Sequence, residues 1–554
     1  MDQPKLTRRG FLAGTAATGA VAALALTGCG SGSSSSSASS GADSSAAATT
    51  IFAAPAYEST NCNPIGNSSA LMLAATWHVF EGLYDLDLHN YTTYTALAAG
   101  EPVKVSDTEY EVALREGAKF SDGTDVTTED VVASFEANMA DGTYGAFLSF
   151  IDSVAAKDDT TVTFTLKYPF ESLLKGRLAV VKIAQAAAIK DYQDAFAAAK
   201  AAAENPDEVK PETVDVALSK NPIGTGPWKY DKIDGNDGGT ITFVPNENYN
   251  GTMPATCESM DWNILLDSTS RTTAITDNSV QAIESVPDAN ADQIAGAGAN
   301  VEYVPGFALP FLMFNTKKAP FNDVRVRQAF YYAIDVEKLI ANQMDGHAVA
   351  ATSFLPEAYA NYHRASTVYT HDVDKAKSLL EEAGQTDLNL ELMVNNNWVS
   401  ALAPQIKEDL AAAGINATIN ETKINWAALA PSEEVLPYDV MLTPGDPSCF
   451  GNDPDLLMTW WYGDNVWTQG RSCWSTTPEW AELQTLLQQA REAADAAQQQ
   501  EIWNQCFDLI AANVPIYPLF HREVGTAYYS DELEGFAPIS TTGLVFLGTT
   551  PKEA

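Results

Sequence analysis

The sequence predicts an α/β protein, and two observations carry that prediction. In the second half, Leu388-Asn389-Leu390-Glu391-Leu392 alternates apolar and polar residues as a half-buried strand does. Pro404 to Ala413 then reads as a helix stopped by Gly414, and Ala417-Thr418-Ile419 as the next strand. Strand, helix, strand in that order implies a parallel sheet, because parallel neighbours need a crossover and a helix is the usual one. In the first half, Glu109 to Leu114 and Thr161 to Leu166 repeat the period of two, with a helix start between them.

Taken in order, the chain opens on a segment set apart from the fold. Thr7-Arg8-Arg9-Gly10-Phe11-Leu12 is a twin-arginine export pattern, and an apolar run of small residues follows from Ala13 to Leu26. Leu26-Thr27-Gly28-Cys29 then reads as a lipoprotein signal, cleaved before Cys29, with a diacylglycerol on the Cys29 thiol. The run is short and rich in Gly and Ala, which argues against a transmembrane helix, and no later stretch is long and apolar enough to span a bilayer. Residues 30–50 are almost all Ser, Gly, Ala and Thr, so they read as a flexible tether. The mature chain is expected outside the cytoplasm, touching the membrane only through its lipid.

From Ile51 onward the composition is globular and long enough for more than one domain. Ile51 to Ala54 reads as a strand. Thr127-Thr128-Glu129-Asp130 starts a helix with acidic residues in its first turn, where the helix dipole favours them. Residues 186–204 form an Ala-rich helix ending at Asn205-Pro206. Asp323 to Lys338 reads as helical, as does Asp374 to Ala383 with Gly384 as its stop. Thr477-Pro478 opens a long helical stretch reaching about Asn513, with Pro at the first helical position. No internal repeat is visible.

The formal net charge is −40, which excludes nucleic acid as a partner, since phosphates are repelled. With Cys29 assigned to lipid, five cysteines remain. Cys506 lies on an apolar helical stripe with Trp503 and Phe507 and reads as a buried thiol. Cys449 and Cys473 bracket a loop rich in Gly, Asp and Trp, so a disulfide closing that loop is the first expectation. Cys62–Cys257 is a further possibility, since sequence alone does not fix connectivity. No Cys-x-x-Cys pair is present for a zinc ribbon or a thioredoxin-like site.

Four separated stretches together resemble one family, the extracytoplasmic solute-binding proteins of peptide/nickel-type ABC importers. They are Val79-Phe80-Glu81-Gly82-Leu83-Tyr84-Asp85; Leu114-Arg115-Glu116-Gly117-Ala118-Lys119-Phe120-Ser121-Asp122-Gly123; Asn221-Pro222-Ile223-Gly224-Thr225-Gly226-Pro227-Trp228; and Phe314-Asn315-Thr316 with Pro320 to Ala329. Physically these motifs read as scaffold. Gly224, Gly226 and Pro227 suit a rigid turn, and Arg325 and Arg327 stand near Asp323 and Asp335 for ion pairs that fix a helix.

The resemblance implies a two-lobe periplasmic-binding-protein fold, of the class with an extra subdomain in lobe one. Lobe one would be 51–304 with an insertion at about 76–220 and a return at 521–554; lobe two would be 305–520. Val304-Pro305-Gly306 and Tyr517-Pro518-Leu519-Phe520 would be the hinge crossings. It implies a monomer that binds a peptide between the lobes and hands it to an ABC transporter permease, with no cofactor and no metal of its own. Nickel chelates, oligosaccharides and haem-like molecules are the rival solutes.

In peptide-binding members an aspartate in a Gly-Asp…Asp-Pro segment pairs with the ligand ammonium. Here Pro444 to Asp455 is that segment, which makes Asp446 the match and Asp453 its rival; both also suit helix or turn caps. Dipeptide-binding relatives place an arginine after the strand that is Leu388 to Val394 here, but this chain has Asn395-Asn396-Asn397-Trp398. Arg471 is the substitute candidate. Trp460, Trp461, Tyr462, Trp467 and Trp474 cluster beside Asp446, and at least one of them is expected to line the cleft. Trp398 and Trp426 follow strands and are weaker candidates. Phe307 to Phe311 are expected to offer backbone groups to an extended ligand, as an added strand would.

Enzyme motifs are absent: there is no His-Glu-x-x-His, no Gly-x-Ser-x-Gly elbow and no phosphate-binding Gly-x-x-x-x-Gly-Lys loop. His347, His363 and His371 are the closest set of histidines and show no metal-ligand spacing. A secreted hydrolase is the rival class, and it would need a nucleophile–base pair that no local motif supplies.

Overall fold

The computed structural model describes residues 50–142, 144–206, 209, 214–395, 397–421, 438–493 and 495–552. The export signal, Cys29, the tether and Trp426 lie outside the described residues. Among the described residues no helix is long and apolar enough to cross a membrane.

Two sheets organise the chain. The larger runs in the order Asn300–Pro305, Phe520–Tyr528, Ala282–Glu284, Thr50–Ala54, Ser259–Asn263, Thr240–Pro245, Trp228–Ile233, with Ala348–Ala350 added on Phe520–Tyr528. Its central strand, Thr50–Ala54, pairs in parallel on both sides. Ile51, Ala53 and Ala54 are fully buried there, as expected where helices cover a sheet.

The second sheet runs Ile415–Asn420, Leu388–Val394, Val440–Gly445, Leu309–Phe314, Ile516–Pro518. Leu388–Val394 pairs in parallel with both of its neighbours. The first of these pairings is the one implied by the alternating strand, the helix (Ala403–Ala412) and the Gly414 stop. Gly414 has φ of +87°, a left-handed conformation that glycine adopts without strain.

A four-stranded antiparallel sheet, Val103–Ser106, Glu109–Ala113, Thr161–Leu166, Ile151–Ala156, forms a further layer. The helix Thr128–Met139 packs on it. Its start is fixed by a capping box in which the Asp130 N–H donates to the Thr127 hydroxyl and the Thr127 N–H to the Asp130 carboxylate.

Apart from the excursion that adds Ala348–Ala350 to the edge of Phe520–Tyr528, the chain passes between the large and second sheets twice. Asn300–Pro305 belongs to the first and Leu309–Phe314 to the second, so residues 306–308 are one crossing. Ile516–Pro518 and Phe520–Tyr528 straddle the other, with Leu519 between them.

Two helix expectations need correction. Asp323 to Lys338 is not one helix but two, Val324–Ala333 and Val336–Gln343, because the Asp335 side chain caps the second by accepting from the Lys338 N–H. The stretch from Thr477 to Asn513 likewise divides into Pro478–Arg491 and Ala496–Asn513, where Asp495 caps the second. The family-like motifs behave as scaffold. A Cβ at Gly224 would meet the Val79 carbonyl oxygen at 2.0 Å, so only glycine lets that turn approach the helix Ala70–Val79. Arg325 pairs with Asp323 at 2.6 Å. Among the described residues Arg327 makes no ion pair; it is buried and donates to the carbonyls of Asn513 and Phe321.

Candidate ligand cleft

The site begins where Val440–Gly445 ends. Gly445 closes that strand, and a Cβ there would meet the Trp461 ring at 2.4 Å. Asp446 follows as the cap of a short 3-10 turn, Pro447–Phe450. The Ser448 N–H and hydroxyl donate to Asp446 Oδ1 at 3.0 and 2.5 Å, and the Thr541 hydroxyl donates to Oδ2 at 3.0 Å. Burial raises the Asp446 carboxyl above its ordinary range, and these donors only partly oppose it. Its charge is felt nearby: the Tyr91 phenol is pushed up to about 12, by burial first and by Asp446 second.

Asp446 lines a cavity of about 230 Å³. One wall comes from the second sheet and its loops, with Leu309, Gly445, Phe450 and Trp460. The other comes from segments around the large sheet, with Tyr57, Ser285 and Arg522-Glu523. A second chamber of about 420 Å³ shares Leu73, Cys449 and Phe450 with the first. Its walls include Trp77, Tyr94 and Tyr144, and its charges are paired: Lys182 meets Asp85 at 2.5 Å and His89 meets Asp87 at 3.0 Å.

Of the clustered aromatics, Trp460 is the one that lines the Asp446 cavity. It stacks on Phe147 of the short helix Tyr144–Phe147 with ring centroids 5.8 Å apart. Trp461, Trp467 and Phe311 pack behind it, Phe311–Trp461 at 4.7 Å and Trp461–Trp467 at 4.5 Å. Trp474 is buried against Tyr462. Arg471 lays its guanidinium over the Trp467 ring at 4.0 Å, away from Asp446, and burial brings it down to about 10. Trp398 sits on the short helix Asn397–Ser400, and its side chain falls outside the described residues.

Asp453 has a different employment from Asp446. It caps the helix Pro454–Tyr462 through the Leu456 N–H at 2.8 Å and lies 3.3 Å from Arg177. Two residues on, the buried Asp455 meets Arg177 at 2.5 Å and Arg491 at 2.8 Å. Arg177 belongs to the helix Glu171–Leu178, so this cluster ties that helix to Pro454–Tyr462 and Pro478–Arg491.

Two expectations are overturned here. Cys449 and Cys473 are free thiols, as are Cys62, Cys257 and Cys506. Cys449 stands beside Asp446, next to the Leu309 end of Leu309–Phe314. Cys473 follows Ser472, whose carbonyl accepts from Thr316 beyond the other end. Those ends are about 17 Å apart at roughly 3.3 Å per residue, far beyond the ~7 Å Cα limit of a disulfide. Strand addition at Phe307–Phe311 also fails. Leu309–Phe314 is already paired on both sides, with Val440–Gly445 and Ile516–Pro518, and the Ala308 carbonyl accepts from the Arg522 N–H at 2.7 Å. His347, His363 and His371 are separate, each beside its own carboxylate: Glu523, Asp508 and Asp335.

Comparison with known proteins decides the family. The pattern of bacterial extracellular solute-binding proteins, family 5 (middle region), matches residues 92–480. The chain belongs to that family. Similar proteins include heme-binding protein A of Haemophilus influenzae, 26% identical over 85% of this chain and 88% of that one. The dipeptide-binding protein of Escherichia coli K12 is also 26% identical, over 81% of this chain and 85% of that one. The crystal structure of the dipeptide-binding protein from Pseudoalteromonas sp. SM9913 with Met-Leu superimposes at a TM-score of 0.76, with 20% identity over 91% of this chain and all of that one. The fold is therefore the periplasmic-binding-protein fold of the peptide-binding type. Sequence reasoning missed Tyr57, Thr541, Arg522 and Glu523 at this site. The signal for the last two was their place directly after the second crossing, where only the residues after the first were weighed.

Proposed function

We propose that this family 5 solute-binding protein captures a short peptide between its lobes and delivers it, unchanged, to an ABC transporter permease. The observation behind this reading is Asp446: a carboxylate set in a cavity walled from both sheets, its partners hydroxyls and backbone amides. A ligand ammonium there gains a charged acceptor in a place of low dielectric. The likeness to a dipeptide-binding protein points the same way. The lobes, 51–304 with 521–554 against 305–520, close by bending at residues 306–308 and Leu519. Closure is a population shift drawn by the ligand's preference for the closed form. The chain acts as a monomer, exported through its twin-arginine signal and held to the membrane by lipid on Cys29.

Calorimetric titration of the mature protein with a peptide library, followed by chromatography of the recovered peptides, tests this. Saturable binding with intact peptides is expected; cleaved product would instead favour a hydrolase. Asp446→Asn should weaken the best peptide by about 2–5 kcal/mol, the usual cost of removing one partner of a buried charge pair. An unaltered dissociation constant would take Asp446 out of the site. A haem-like solute is the second reading, favoured by the likeness to the Haemophilus protein. Saturable haem binding read by visible absorbance, with no response to peptides, would establish it instead.

A further inference from the structure

We propose that the larger chamber beside Phe450 receives a large apolar side chain of the captured peptide, so that the protein selects peptides with a bulky apolar residue over those with only small or charged ones. This deepens the peptide-capture reading and rests on it.

The chamber of about 420 Å³ and the Asp446 cavity have Leu73, Cys449 and Phe450 in common, so the two adjoin there. Phe450 is the last residue of the turn Pro447–Phe450, which Asp446 caps. One turn therefore holds both the carboxylate for the ammonium and the ring at the junction. The Phe450 ring is itself fixed, with Tyr144 at 5.3 Å and Trp460 at 5.4 Å between centroids. A peptide anchored by its ammonium on Asp446 begins next to the chamber.

Apolar side chains from distant parts of the chain make its wall: Trp77 on the helix Ala70–Val79, Leu86 on the strand Tyr84–Asp87, Met253, Val545 and Leu547, with Phe450. Among the described residues, the charged ones in that wall are Asp85, Lys182, Asp87 and His89. Asp85 is buried and already answered, by Lys182 at 2.5 Å and by the Gly82 N–H at 3.0 Å. Asp87 accepts from the His89 N–H at 3.0 Å and from Asn90 at 2.6 Å, and its side chain is 35% exposed, so water answers the rest. A lysine side chain entering here meets a neutralised Asp85 and does not recover the hydration of its ammonium; a glutamate meets the same pair and fares no better. An apolar side chain gives up no such hydration and takes both its own surface and the wall's out of water. The size suits it as well. A cavity of about 150 Å³ lined by Leu, Ile and Phe holds a benzene ring, and this chamber offers about 420 Å³.

The test is calorimetric titration of the mature chain with trialanine and with trialanine carrying, at each position in turn, one tryptophan or one lysine. The best tryptophan peptide should bind wild type at least about tenfold more tightly than trialanine, the low end of what burying a large apolar side chain gives. No lysine peptide should gain more than about threefold. Met253→Trp fills the chamber from its wall, and the ratio of the best tryptophan peptide to trialanine should then fall to about threefold or less. A tryptophan gain below about tenfold in wild type, a lysine peptide that equals the best tryptophan peptide, or a ratio unchanged by Met253→Trp each overturns the role of the chamber while leaving peptide capture standing. Failure of wild type to bind any of these peptides sinks the capture reading and this proposal with it. If Met253→Trp does not fold, Leu86→Trp carries the test: the same fall in the ratio is expected, and an unchanged ratio overturns the proposal.

Discussion

Asp446 and Asp455 lie on one short segment, Asp446 half-buried and Asp455 fully buried, yet the fold treats them in opposite ways. Asp455 sits between two guanidinium groups, Arg177 at 2.5 Å and Arg491 at 2.8 Å. Asp446 has only neutral donors as its described partners, from Ser448 and Thr541, and burial raises its carboxyl. Asp455 is complete as it stands and joins the helix Glu171–Leu178 to Pro478–Arg491. Asp446 lines a cavity and has no cation paired with it among the described residues. A buried carboxylate with its counter-charge built in serves the architecture; one without it is the place where a ligand can supply the missing charge.

The hardest way to break this contrast is Asp455→Asn. It leaves Arg177 with Asp453 alone and takes from Arg491 the carboxylate it pairs with. Loss of one partner of a buried ionic cluster costs about 3–5 kcal/mol, so the denaturant midpoint should fall steeply. A loss below about 1 kcal/mol would mean that water reaches the cluster and the contrast is false. Thr541→Val sharpens the other half. Thr541 is buried, and its hydroxyl bonds Asp446 Oδ2 at 3.0 Å. Without that donor the carboxylate is harder to ionise, so peptide affinity should drop by about 1–2 kcal/mol and its rise with pH should move to higher pH. A pH profile of the dissociation constant identical to wild type would show that Thr541 does not tune Asp446.

How far the sequence reached follows the same division between local and distant causes. The strand Leu388–Val394, the helix behind it and the Gly414 stop were legible because period and punctuation are local signals. Asp446 was singled out by its Gly-Asp…Asp-Pro surroundings, and it lines a cavity. The aromatic wall was legible only as composition. Trp460 and Trp461 are neighbours on the helix Pro454–Tyr462, about 100° apart around its axis, so one meets the cavity and the other the core behind Gly445. Nothing in their spacing says which. The disulfide expectation failed because Cys449 and Cys473 close a loop in sequence that in space runs the length of a strand. Tyr57, Thr541 and Arg522 escaped notice because the sheet order and the two crossings bring them together, and those follow from pairing of strands hundreds of residues apart.

The smallest expected effect is also the most direct check on Asp446. A carboxyl raised by burial binds its proton more readily in the folded chain than in the unfolded one. Its favourable contribution to stability is therefore fully present below the ordinary aspartate value of about 4, and is lost as pH rises through the raised folded value. Asn cannot ionise, and as a cap it can still accept from the Ser448 N–H. Ligand-free Asp446→Asn should thus match wild type within about 1 kcal/mol, with the balance shifting toward the variant as pH climbs from 4 to 7. Chemical denaturation at a series of pH values reads this directly. A shift in the opposite direction, with wild type gaining on the variant as pH rises, would mean that a cation already neutralises Asp446 in the free protein, and the distinction from Asp455 would disappear.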